Sequence, residues 1–152
     1  MTHLLKDVGS RIFDHVRGAV MTSRILIVDG NNIADIVSFY DEINRVFMAG
    51  ESWKLGVSLD ALDDLLYGGY GAAQGCDAVT LVWLHTDKTR SALGVDATRA
   101  HYRSKLGQPA FNQARLHVQL AELDAGSGPT YFDIVMEIIA SHPSITLKLM
   151  VD

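Results

Sequence analysis

Hydrophobic spacing divides the chain into alternating runs. Leu5, Val8, Ile12, Val16 and Val20 recur every three or four positions, which predicts an amphipathic helix over 3–20. Residues 24–29 (RILIVD) form a continuous apolar run closed by Asp-Gly, the pattern of a buried strand entering a turn. A second helical stripe follows, Phe39, Tyr40, Ile43, Val46 and Phe47, with Ser38 read as its capping residue and Gly50 as its stop. Ser58 reads as the N-cap of a helix over 59–67, halted by Gly68, Gly69 and Gly71. Residues 78–85 and 145–151 read as two more buried strands, the last preceded by a helix from 130 to about 141. Between 87 and 129 the pattern is weaker. A helix over 97–106 is expected, with Asp96 as cap, while 116–123 fits either a helix or an added strand. Strands separated by helices imply an α/β fold with a parallel sheet and right-handed crossovers.

The 152 residues suit one domain, and 48% hydrophobic with 20% charged residues argues against disorder. The net charge of -5 speaks against a general nucleic-acid binder. Its distribution says more. From 29 to 77 nine acids face only Arg45 and Lys54, a local balance of -7, whereas 78–132 carries +2. A local acidic surface either steers a cationic partner or serves as a solvated face. Cys76 is the single cysteine, which fits a reducing compartment. No apolar run suggests a membrane span, and Lys6, Asp7, Arg11 and Asp14 break any signal-peptide core, so a cytoplasmic protein is expected. Met21 offers a second start codon.

The sharpest local feature is Ser58-Leu59-Asp60-Ala61-Leu62-Asp63-Asp64-Leu65-Leu66. Leu59, Leu62, Leu65 and Leu66 form a core-facing stripe. Asp60 and Asp64, four apart, stack on one face with Asp63 at its side, a spacing that costs a helix a few tenths of a kcal/mol. The helix dipole offsets this for Asp60 but fades before Asp64. Asp64 is accounted for either by a solvated face or by a partner that presents Arg or Lys.

This stretch, with Trp53-Lys54-Leu55-Gly56-Val57 before it, resembles the signature of the barstar family. The strand–turn–helix from Ile27 to Tyr40 resembles the family's first βα unit, and Tyr131–Glu137 with Ile145–Leu149 its last helix and strand. The resemblance implies a short parallel sheet of about three strands flanked by helices, here with an additional N-terminal helix (1–22) ahead of a domain over 23–152. Residues 87–129 would be an enlargement of the middle. It also implies an inhibitor, not an enzyme, that caps a ribonuclease active site with an acidic helix. The partner would be an extracellular-type or toxin ribonuclease with a basic site, with no direct nucleic acid, membrane, metal or cofactor. By position Asp60, Asp64 and Glu137 match the family's acidic contacts. Asp63 stands where the family often has Trp, and the aromatic before the Gly is displaced to Trp53. Tyr67 and Tyr70 on a glycine-hinged loop are candidate rim anchors or ordinary packing over the helix end.

Two other readings remain. Ile25–Asn32 also resembles the opening strand of PIN- or NYN-type metal-dependent nucleases, with Asp29 as the metal ligand, but convergent carboxylates at other strand ends are missing. The same scaffold could also be an interaction module without a ribonuclease target. No zinc motif, phosphate loop or nucleophile elbow supports a further chemistry.

Overall fold

A computed structural model describes residues 12–16 and 19–151, with side chains from Thr22 onward. The apolar runs become β2 (Ala19–Asp29), β3 (Ala78–Leu84) and β4 (Ile145–Leu149), joined by a short edge strand β1 (Ile12–Val16). The spatial order is β1-β2-β3-β4. Strands β2, β3 and β4 run parallel, with Leu26 opposite Leu81 and Leu81 opposite Leu147, while β1 pairs antiparallel to β2. Among the described residues six α-helices connect and flank these strands: α1 (Ile36–Phe47), α2 (Leu59–Leu66), α3 (Thr86–Ala92), α4 (Val95–Lys105), α5 (Gln113–Asp124) and α6 (Tyr131–Ala140). The expected α/β class, a three-stranded parallel sheet flanked by helices, is the fold observed.

Alternate residues of β3 are buried (Val79, Leu81 and Trp83), so one face of the sheet carries the core. Phe39, Ile43 and Phe47 of α1, Leu62, Leu65 and Leu66 of α2, and Val135 and Ile139 of α6 close over it. Removing these side chains from water is the main favourable term in holding the layers together. Phe39 stacks on Trp83 at 6.1 Å, and the Trp83 indole N–H donates to Thr89 Oγ1 at 2.9 Å, tying α3 to the sheet. The hydroxyls of Tyr40 and Tyr131 meet at 2.6 Å between α1 and α6, and burial pushes both phenols above their ordinary pKa. A second, smaller cluster (Tyr102, Leu116 and Leu123) sits between α4 and α5.

Several local expectations need correction. The helix expected over 3–20 is replaced at Ile12–Val16 and from Ala19 by two paired strands, Val16 lying opposite Ala19; residues 1–11 and 17–18 lie outside the described residues. A four-residue spacing such as Ile12 to Val16 keeps to one face of a helix and of a strand alike, so spacing there does not discriminate. Helix α1 begins earlier than expected. Its N-cap is Asp35, whose carboxylate accepts from the Ser38 N–H, while Ser38 answers from the third helical position. Helix α4 is capped by Gly94, with Asp96 inside the first turn. The ambiguous 116–123 stretch is helical, within α5, and Thr86–Ala92 is a helix the weak pattern did not indicate.

Candidate functional site

Helix α2 has only eight residues and is shaped by what surrounds it. Ser58 Oγ accepts from the Ala61 N–H at 3.3 Å, capping the first turn as expected. Leu62, Leu65 and Leu66 are buried, which turns Asp60 and Asp64 outward. Both carboxylates are exposed and have no ion-pair or hydrogen-bond partner among the described residues. Asp63 takes a different course. Its Oδ1 lies 2.7 Å from Nε2 of His142, a ring only 4% exposed, in the connection between α6 and β4. Tyr67, at the helix C-cap, sets its own ring edge-on to the same imidazole at 4.5 Å while remaining 75% exposed.

The flanking loops are clamped rather than loose. Asn44 of α1 makes a reciprocal pair with the Leu55 backbone, Leu55 N donating to Asn44 Oδ1 at 2.8 Å and Asn44 Nδ2 donating to Leu55 O at 3.2 Å. The Gly71 N–H donates to Glu51 Oε2 at 2.8 Å, joining the loop before α2 to the turn after it. Gly71 has φ +75°, and a Cβ there would sit 3.0 Å from the Phe47 carbonyl oxygen, so this crossing requires glycine. On that frame the rings of Trp53 and Tyr70 pack together at 4.8 Å. The Tyr70 hydroxyl is pushed above its ordinary pKa, first by partial burial and then by the negative charge of Asp64, so Tyr70 lies within electrostatic reach of that carboxylate. Glu137 is exposed on α6. It lies on the solvent face of α6, opposite the buried Val135 and Ile139.

Of the sequence-predicted residues, Asp60, Asp64, Trp53 and Tyr70 thus come together on one side. Tyr67 and Asp63 gather at His142, while Glu137 is exposed on α6, joined to none of these residues by a hydrogen bond, ion pair or ring contact. Glu51, Asn44 and His142, which fix this surface, carry no local signal in the sequence, because each acts on a residue at least 11 positions away. Asp29 does not present a free carboxylate at the strand end: it caps the following turn by accepting from the Asn31 N–H at 2.9 Å. Among the described residues no group of three His, Cys, Asp or Glu side chains is arranged to hold a metal ion. Among the same residues no helix is long and apolar enough to cross a membrane.

A short parallel sheet flanked by helices, one of them carrying outward carboxylates, is consistent with a barstar-like fold. The family described as Barstar (barnase inhibitor) matches residues 23–103, more than half of the 152, and the chain belongs to the barstar family. That span holds Trp53, Asp60, Asp63, Asp64, Tyr67 and Tyr70, and it runs on through α3 and most of α4. Glu137 lies beyond it. No curated protein and no solved structure matches the chain.

Proposed function

We propose that this protein blocks the active site of a ribonuclease by laying α2 across it, with Asp60 and Asp64 in the places that RNA phosphates would take. The observation that carries the reading is the pair of exposed carboxylates with no partner among the described residues, on a helix whose opposite face is anchored by three buried leucines. A site built to bind phosphates presents Arg, Lys and His, and carboxylates held on a rigid element can pair with those groups at little ordering cost. Charge complementarity would raise the association rate, and desolvated pairing would slow dissociation. Trp53 and Tyr70 would supply an aromatic contact beside Asp64, and Glu137 a further charge from α6. Asp63 would act indirectly, because its carboxylate is engaged by His142. The target would be a ribonuclease of the extracellular or toxin type, met inside the cell.

Inhibition of a barnase-type ribonuclease, or of a nuclease encoded beside this protein, tests the reading. Asp64→Ala should weaken inhibition by roughly 30-fold or more, about 2 kcal/mol, the low end for truncating one partner of a buried charge pair. That range draws on the complex of the family's namesake and not on this chain. The loss should shrink at high salt for the association rate and persist for dissociation. Unchanged inhibition by the variant would remove the helix from the mechanism.

One observation favours a second reading, a barstar-fold interaction module with another target. Tyr67 and Asp63 are engaged with His142, and Trp53 packs on Tyr70, so part of the aromatic set makes contacts within the chain. Failure to inhibit any ribonuclease, with the fold intact, would select it.

A further inference from the structure

Helices α4 and α5 border a feature that the α2 reading does not use. Between them, α6 and the start of α2 lies an open cleft of about 580 Å3, within the size range of about 300–1,000 Å3 usual for binding pockets. Its floor is apolar, made by Leu59, Tyr102, Leu116 and Ile134. Its rim keeps Phe111 and Val118 in solvent, 37% and 57% exposed, although Leu116 and Leu123 of the same segment are buried. Two cations border it. The Lys105 ammonium lies 4.8 Å from the centre of the Phe111 ring, and Arg115 has no ion-pair partner among the described residues. Among the described residues Glu122 is the one acid in the cleft lining, and His101, also in the lining, is held below its ordinary pKa by burial and by Lys105, so it adds no charge at neutral pH. The cleft is therefore opposite in sign to the α2 face, yet Leu59 lines it and Asp60 is the next residue.

We propose that this cleft seats an acidic peptide segment of the partner that meets α2, an apolar side chain entering the floor while a carboxylate pairs with Lys105 and Arg115. That the partner is a ribonuclease rests on the preceding reading. The cleft's preference for a carboxylate does not. Unpaired cations beside an exposed aromatic ring favour an anion that brings apolar surface with it. A single-stranded nucleic acid would bring both, but its chain of phosphates would meet Asp60, the residue after Leu59 of the cleft lining. A peptide with one or two carboxylates avoids that repulsion.

The full-length protein, labelled with 15N, can be titrated with the tetrapeptide N-acetyl-Leu-Asp-Phe-Glu amide, with its Lys-for-acid counterpart, and with a short oligouridylate. Saturable amide shifts at Leu59, Phe111 and Val118 are expected from the acidic peptide alone. Lys105→Glu combined with Arg115→Glu should lower that affinity by about tenfold or more with an unchanged thermal melt, and should weaken binding of the nuclease as well. Asp64→Ala should leave peptide binding within about twofold, because its carboxylate lies outside the cleft. Equal shifts with the basic peptide, stronger shifts with the RNA, no saturable shift at those amides, or indifference to the double charge reversal would each overturn the proposal. Peptide binding that persists where nuclease inhibition fails would count against the α2 reading and leave the cleft assignment standing.

Discussion

Glu42 is the residue on which the start of the site-bearing segment depends. It is 2% exposed, and its carboxylate accepts from the Asp29 N–H at 2.7 Å, from Asn32 Nδ2 at 3.0 Å and from Arg45 Nε and Nη2 at 2.7 Å each. Burial by itself would raise its pKa, but these donors and the charge of Arg45 outweigh it, and the net displacement is downward. A lowered folded-state pKa means that the stabilisation is complete above the ordinary value of 4.5 and is lost as pH falls through the folded value. Glu42→Gln should cost about 1–3 kcal/mol at pH 7, at the low end because Arg45 is half-exposed. In urea unfolding the gap between the two proteins should narrow below pH 4.5, and a gap independent of pH would contradict the argument. Gly30, just past the same strand end, shows why long-range packing escapes a sequence reading. Asp-Gly signalled a turn, but the reason for glycine is that a Cβ would lie 2.2 Å from the carbonyl oxygen of His85, which itself adopts φ +51°.

At the scale of elements, α2 is the instructive case. An eight-residue helix is far below the length that is stable alone, so its order comes from the cap, the leucine stripe and the contact of Asp63 with His142. The cap and the stripe were legible in the sequence, because capping and amphipathic periodicity are local rules. The His142 contact, 79 positions away, was not. Ser58→Ala should destabilise the protein by about 0.5–1 kcal/mol, toward the weak end for a cap because the bond is long, and equilibrium unfolding would measure it. No change would mean that Leu59 packing alone fixes the first turn. The same comparison explains the misplaced start of α1. Asp35 and Ser38 are both capping residues three apart, and which one leads depends on where the chain leaves the β2 turn.

For the whole molecule, two buried clusters imply unequal stability. The main core joins the sheet to α1, α2 and α6, whereas α4 and α5 share a cluster built on Tyr102, Leu116 and Leu123. Helix α4 is tied to the start of α6, the Tyr131 N–H donating to Thr98 Oγ1 at 2.7 Å, and the C-cap of α3 is tied there too, the Phe132 N–H donating to the Leu93 carbonyl at 3.0 Å. Helix α5 depends on α4, partly through an exposed ion pair of Arg99 with Asp124 at 2.9 Å. Amide hydrogen exchange should therefore show α5 less protected than β3 and α1 by roughly 100-fold. Equal protection would mean that the two clusters open as one unit. Charge divides along the same line. The acids gather on and around α2, and the uncompensated cations on α4 and α5.

The sequence by itself determined the α/β class, the three parallel strands, the cap and buried stripe of α2, and the outward pair Asp60 and Asp64. All of these follow from periodicity and local hydrogen bonding, which extend over a few neighbouring residues. Only the tertiary structure decided that Ile12–Val16 pairs as a strand with the start of β2 and that Asp63 belongs to His142. Only it showed Trp53 against Tyr70 and the cleft left between α4 and α5. Those outcomes depend on residues far apart in the chain being brought within a few ångströms, and no pattern of near neighbours encodes such a meeting.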